Sequence, residues 1–355
     1  MNPSVMLSNI DFLQNGDIIF ADTAEDATVG KCTEMSGIDG HKVVSGLHTM
    51  PFRPVVKFAY GYLGCYLNSN AYHDQLFPLM QGIKVTSISK RALHDTLLTY
   101  PSDRKEQSQL GNYFIHLDHI ITLHQRKLTK LQLLKKSMLT KMFPKDGVRV
   151  PEIRFQGFHG DWEHHTLREI SDIKTGPFGS ALHANDYVSE GVPIITTEHF
   201  KSGHLPTSKK GIPQVSREDY ARLSSYILNL GDIVFSRVGS IDINALVTQA
   251  QNHWLFSGRV LRVRVKDLTD AGFLHIALET SHVRNDIVSR AVGQTMPCIN
   301  TEILGDTLVL MPMSMDEQKQ IAQYFSHLER LIIFHQQKLS KLQQIKQAML
   351  SKLFV

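Results

Sequence analysis

One pattern occurs twice in this chain, and that repetition limits what it can fold into more than any other feature. The segment EQSQLGNYFIHLDHIITLHQRKLTKLQLLKKSMLTKMF, from Glu106, aligns with EQKQIAQYFSHLERLIIFHQQKLSKLQQIKQAMLSKLF, from Glu317, at an offset of 211 residues. About half of the aligned positions are identical, more than two unrelated helices share by chance. Apolar residues follow steps of four and three in both copies. Leu110, Phe114, Leu117, Ile121, Leu128, Leu131, Met138 and Met142 in the first match Ile321, Phe325, Leu328, Ile332, Leu339, Leu342, Met349 and Leu353 in the second. Such spacing keeps one seam of a helix facing a partner, as in a coiled coil.

Each seam is interrupted by the same two polar residues, His124 and Lys135 in the first and His335 and Lys346 in the second. A polar seam residue can fix register at some cost in stability. The plainer alternative is that the polar tips reach solvent while the stems stay buried. Asp103 stands three residues before Glu106 and Ser314 three before Glu317, the spacing of a capping box, with Pro101 and Pro312 placed to stop a preceding helix. At 1.5 Å per residue each helix is on the order of 57 Å long, which suits a spacer better than a core helix.

The repeat continues upstream. NGDIIF at 15–20 answers LGDIVF at 230–235, Ser45-Gly46 answers Ser257-Gly258, and Gly82, Ile88 and Leu93 answer Gly293, Ile299 and Leu304. Each long helix therefore closes a globular domain of the same plan. Copy two carries about 65 residues before LGDIVF, from near Val150, that copy one lacks, given the usual size of such units. The first domain thus reads as incomplete. The runs DIVFSRV, RVLRVRV and VPIIT, separated by Gly, Pro, Asn and Ser, read as strands, with one helix over 273–289. The expected class is α+β.

With 355 residues, 42% of them hydrophobic, the chain can fill two ordinary domains and elongated elements besides. Its net charge of +4 permits a nucleic-acid partner without demanding one. Cys32, Cys65 and Cys298 are dispersed and too few for a disulfide framework, the pattern of a reduced, cytoplasmic protein. No run approaches the roughly 18 apolar residues of a membrane span, and the start, MNPSVMLSNIDFLQNGD, lacks the layout of an export signal.

Basic and polar residues gather at turn-like sites: KTGPFGS at 174–180, Lys201, Lys209-Lys210 and RVGS at 237–240. Lys and Arg neutralise phosphates, while Arg, Ser and amides next to Gly can approach base edges. An ordinary solvated loop has the same composition. Catalytic motifs are missing. Gly30-Lys31 is followed by Cys32, so there is no phosphate-binding loop, and neither G-x-G-x-x-G after a strand nor H-E-x-x-H occurs. Asp103-Arg104-Lys105 has the outline of a nuclease carboxylate-x-lysine pair, but Asp103 is better explained as a helix cap. His164-His165 lacks metal-ligand spacing. No catalytic residue, metal or cofactor is expected.

These residues carry a resemblance. GDIIFADTAED and KVVSGLHTMPFRP in copy one, GPFGSALHANDY, VPIITTEHF and GDIVFSRVGS in copy two, and the EQ-led helices ending KMFP and KLF resemble the specificity (S) subunit of Type I restriction-modification enzymes across essentially the whole chain. The resemblance implies two target recognition domains, each reading half of a split site in double-stranded DNA, held apart by two long helices paired as an antiparallel coiled coil. The implied layout is a partial first recognition domain over 1–100, a spacer helix over 101–146, a second recognition domain over 147–312 and a second spacer helix over 313–355.

The resemblance further implies docking of two methyltransferase (M) subunits, which carry S-adenosylmethionine, and of restriction (R) subunits, with no chemistry on this chain and no membrane partner. It places DNA contacts at Thr175, Gly176, Phe178, Gly179, Ser180, Lys201, Lys209, Lys210, Arg237, Gly239 and Ser240, and helix pairing at the seam residues from Leu110 to Leu131 and from Ile321 to Leu342. Copy one departs from the family pattern in having no counterpart of GPFGSALHANDY and VPIITTEHF. The alternative expectation is therefore a truncated or silent specificity protein that acts as a coiled-coil assembly partner without full DNA recognition.

Overall fold

The four residues after each Gly-Asp turn, IIFA and IVFS, become a central strand of a sheet, paired on both sides with antiparallel strands. In the computed structural model, which describes residues 6–7, 12–24, 28–82, 85–145, 147–177, 181–293 and 295–354, the chain divides into two compact units, Met1–Thr129 with Ile333–Val355, and Lys130–Ile332. The first unit holds an antiparallel sheet in the order Cys32–Glu34, Ile18–Ala21, Thr49–Pro54, Met6–Leu7. The second repeats it as Asn244–Leu246, Ile233–Ser236, Val260–Val265, Ser171–Thr175.

The two sheets are braced alike. Asp17 and Asp232, both buried, precede the central strands. Arg53 clamps Asp17 through Nε and Nη2, each at 2.8 Å, and Arg264 clamps Asp232 through Nε and Nη2, each at 2.7 Å. The amides of Gln14 and Asn229 add a third donor to each carboxylate. A buried carboxylate is tolerated here because its lone pairs are taken by charge-assisted bonds.

The second unit carries a further sheet in the order Leu255–Phe256, Val192–Ile195, Gln214–Val215, Tyr187–Val188, in which Ile194 and Ile195 run parallel to Leu255 and Phe256. Among the described residues the first unit has no counterpart of this sheet. Phe256 is fully buried, whereas Val44, which corresponds to it in the repeat, is 65% exposed.

The long helices run Arg104–Lys141 and Met315–Leu353. Their seam residues are buried or half-buried with one exception, Leu353. Residues of the two helices meet in opposite directions within each unit. In the first, Phe114 stacks on Phe354 with ring centroids 5.6 Å apart, and Lys346 Nζ lies 2.6 Å from Asp118 Oδ1. In the second, Phe143 meets Phe325 at 6.1 Å, and Lys135 Nζ lies 2.7 Å from Glu329 Oε2. Phe325, Glu329, Lys346 and Phe354 are the repeat counterparts of Phe114, Asp118, Lys135 and Phe143, so one set of contacts is the other with the copies exchanged. Each core accordingly contains the end of the other copy's helix. Phe354 packs with Tyr62 and Tyr66, and Phe143 packs with Trp162 and Phe273. A helix closing only its own domain is the simpler expectation, and it does not hold.

Other expectations are also revised. The polar seam residues do not simply run out to water. The lysines are ion-paired as above, and His124 Nδ1 lies 2.8 Å from His335 Nδ1, one ring donating and the other accepting. Ser314 caps its helix by accepting from the Glu317 amide at 3.4 Å, but the Glu317 carboxylate is taken by Arg154 at 2.7 and 2.8 Å and does not complete a reciprocal box. Pro312 follows a strand, Leu308–Met311, and not a helix. Pro101 and Pro312 instead supply carbonyls that accept from Gln107 and Gln318, both at 2.8 Å. The helix expected over 273–289 is two, Ala271–Ala277 and Ser281–Arg290, because Thr280 between them is extended, its hydroxyl donating back to the Ala277 carbonyl at 2.7 Å.

Phe143→Ala is expected to destabilise the second unit by about 3–5 kcal/mol, the usual cost of removing a buried aromatic, read as a lower denaturation midpoint of that unit's slow-exchanging amides. Burial, the facing His124 ring and the Lys127 charge push the His335 imidazole below its ordinary value. Its folded pKa is depressed, so its stabilisation is complete above the ordinary histidine pKa of about 6.5 and is lost as pH falls below it. The stability gap between wild type and His335→Ala is expected to narrow between neutral and mildly acid pH in urea titrations of the first unit.

Candidate nucleic-acid interface

Strand Ser171–Thr175 ends in a turn that only glycine can make. The Gly176 amide donates to the Val260 carbonyl at 3.1 Å, and a Cβ there would stand 2.1 Å from the Ser257 carbonyl oxygen. Thr175 sits opposite Leu261, and Ser236 opposite Val260. The residue after Ser236, Arg237, donates from its amide to Arg259 at 3.0 Å and from Nη1 to the Gly258 carbonyl at 3.2 Å. Sheet register thus gathers Thr175, Gly176, Arg237 and the Ser257-Gly258-Arg259 turn at one end of the sheet.

This end borders an open cleft of about 620 Å³, lined by Pro177, Leu182, Tyr187, Thr196, Thr197, Glu198, Arg237, Ser257, Gly258 and Arg259. It combines two arginines, several hydroxyls, the apolar Pro177 and Leu182 and one carboxylate, Glu198, a mixture that can meet phosphates and base edges. Burial, then the Asp186 charge, push the Tyr187 phenol above its ordinary value, so it stays a neutral hydroxyl. Within the sheet, on strand Val260–Val265, Arg262 is buried and held by Asp172. Burial, then the neighbouring Arg264, lower its pKa. Lys201 is exposed at the rim and ion-paired with Glu198 at 2.5 Å. Lys174 lies 4.7 Å over the Tyr226 ring and donates to the Ser225 carbonyl at 3.0 Å.

Of the residues expected to touch DNA, Thr175, Gly176 and Arg237 come together, and Lys201 joins them through Glu198. Phe178, Gly179 and Ser180 lie outside the described residues. Lys209 and Lys210 are exposed but are not in the cleft lining. Gly239 and Ser240 form an exposed turn, in which Gly239 adopts φ +82° and donates to the Pro297 carbonyl at 2.9 Å, also outside the lining. Sequence reading passed over Tyr187 and Arg259. The cue for Arg259 was its place beside Ser257-Gly258, which the repeat had already marked; Tyr187 carried none beyond its position in GPFGSALHANDY. Among the described residues no group of three or more His, Cys, Asp or Glu side chains is placed to hold a metal ion, and no helix is long and apolar enough to cross a membrane.

Residues 159–344, more than half of the chain and including this cleft, match the Type I restriction modification DNA specificity domain, and the chain belongs to that family. The Type I restriction enzyme MjaVIII specificity subunit of Methanocaldococcus jannaschii is 20% identical over 290 residues, covering 77% of this chain and 64% of the relative. The putative type I restriction enzyme MjaX specificity subunit of the same organism is 26% identical over 202 residues, covering 55% of this chain and 45% of the relative. The chain therefore spans between about half and two thirds of the length of these curated relatives. The fold is similar to that of the S subunit of a Type-I restriction-modification system from M. genitalium, with a TM-score of 0.70 at 15% identity over 97% of this chain and 84% of that one.

Gly176→Ala is expected to destabilise the second unit by about 1–3 kcal/mol, the range for forcing atoms into a filled site, seen as a lower thermal midpoint. An unchanged midpoint would mean the turn can move away from Ser257.

Proposed function

We propose that this chain is a DNA sequence-specificity subunit of a Type I restriction-modification complex. The observation that carries the reading is the cleft bordered by Arg237 and Arg259 inside the region matched to the DNA specificity domain. In this reading the second recognition domain, 147–312, reads one half of a bipartite site through the cleft, with Thr175, Gly176, Arg237 and Lys201 among its DNA-facing residues. Phe178, Gly179, Ser180, Lys209, Lys210, Gly239 and Ser240 are further proposed DNA contacts on the strength of the sequence motifs alone. The spacer helices, 101–146 and 313–355, pair as an antiparallel coiled coil, separate the recognition domains and dock two methyltransferase subunits, to which restriction subunits add. The chain itself contributes recognition and no catalysis, and it works in the cytoplasm, where the DNA is.

A second reading rests on the first unit. Its missing second sheet among the described residues, and the exposed Val44 where Phe256 is buried, favour a first recognition domain, 1–100, that is partial and reads little or no DNA. The chain then acts chiefly as an assembly partner for the complex.

Co-expression with a Type I methyltransferase subunit, followed by mapping of methylated adenines, separates these. Co-purification and methylation at a split site are expected for the first reading, co-purification without sequence-specific methylation for the second, and no co-purification overturns both. Arg237→Glu with Arg259→Glu is expected to weaken duplex binding about 10-fold or more and to reduce the salt slope by about 1–2.

A further inference from the structure

Glu329, on the second long helix, is reached directly from two other parts of the second unit and is tied through Lys135 to a third. Lys135 Nζ lies 2.7 Å from Glu329 Oε2 and 2.8 Å from Glu279 Oε2, linking the first long helix to the end of helix Ala271–Ala277. His204 Nε2 lies 3.0 Å from Glu329 Oε1. His275 stands 3.8 Å from Glu279 and bonds Asn244 on the sheet at 2.6 Å. Lys135, Glu279 and Glu329 are all at least four-fifths buried.

Helix pairing alone does not require this many charges. The repeat counterpart of Lys135 and Glu329 in the first unit is the simpler pair Lys346 and Asp118, which is more exposed. At the positions of Glu279 and His275 the first copy has Asn68 and Gly64, and His204 falls in the segment it lacks. The extra groups therefore accompany the recognition segment. That segment runs from the turn Thr197–Phe200 through the Gly203 amide, which donates to Phe200 at 2.9 Å, to Pro206, whose carbonyl accepts from Gln251 at 2.7 Å. Glu198, which lines the cleft, and Lys201, which pairs with it, are on the same short segment as His204.

We propose that Glu329 is a positioning residue for the cleft: through His204 it fixes the segment 197–206, and with it Glu198 and Lys201, to the second long helix. Lys135 holds Glu329 in place against Glu279. Movement of the helix, or a protein bound along it, is thereby felt at the cleft rim. The naming of that rim as DNA-facing rests on the function proposed above, whereas the coupling itself does not.

Hydrogen exchange on the full chain tests it. The His199 and Gly203 amides are expected to exchange about 10-fold faster in His204→Ala and in Glu329→Ala, while amides of Ile233–Ser236 keep their protection. Glu329→Gln, which retains an oxygen acceptor for His204, is expected to restore most of the protection. The half-buried His204 lies on a connecting segment outside the strands and helices, so its variant folds even where loss of Glu329 leaves Lys135 and Glu279 too disturbed to fold. Unchanged exchange at His199 and Gly203 in His204→Ala overturns the proposal. In a parallel arm with a random-sequence duplex, His204→Ala is expected to lower affinity several-fold without changing the salt slope, because no phosphate contact is removed. A changed slope would make His204 a contact residue and overturn its positioning role. Faster exchange in a chain whose wild type binds no duplex leaves the coupling standing and removes the DNA reading.

Discussion

The rest of the structure depends on apolar seams meeting in opposite directions. Phe114 against Phe354 and Phe143 against Phe325 each sit where a helix seam becomes part of a globular core. Burying aromatic rings is the largest local gain available to such a chain. The exchange of helix ends puts that gain in both cores at once. Polar groups then set register: within the first unit Lys346 meets Asp118 and His124 meets His335, and within the second Lys135 meets Glu329. Opposite charges facing across a seam hold one alignment, and a one-turn slip would leave half-buried charges unmatched.

The sheets follow the same economy of one solution used twice. Each has a Gly-Asp turn, a central apolar strand and an arginine from the neighbouring strand that neutralises the buried aspartate. The units differ in what is added beside this frame. The second sheet of the second unit takes Leu255–Phe256 as an edge strand, and its strands and turns form much of the cleft. The cleft is thus an addition to a frame that already exists in both units, and among the described residues the frame remains recognisable where the addition is missing.

The repeat, the helix seams and the main strands were legible in the amino-acid sequence because each rests on periodicity, which one chain displays without help from its neighbours. Family membership was legible from short motifs around glycine and aspartate. The partners of the seam lysines were not, since Glu279 and Glu329 come within reach only after helices far apart in sequence have packed. Pro101 and Pro312 were misread because a proline near a helix start signals a stop, and only the fold shows the Gln107 and Gln318 side chains donating to their carbonyls. At the cleft, Arg237 stood out in a glycine turn, but Tyr187 is brought there by sheet register, which its local sequence does not encode.

The exchange of helix ends also has a consequence in time. During synthesis the first sheet, Tyr62 and Phe114 leave the ribosome early, yet the ring that completes their core, Phe354, is made only after the whole second unit. Until then the first unit must persist with an open apolar face and a long loop still to close. The N-terminal half, though first to appear, is the last to be finished, and its folding is contingent on the half that follows it.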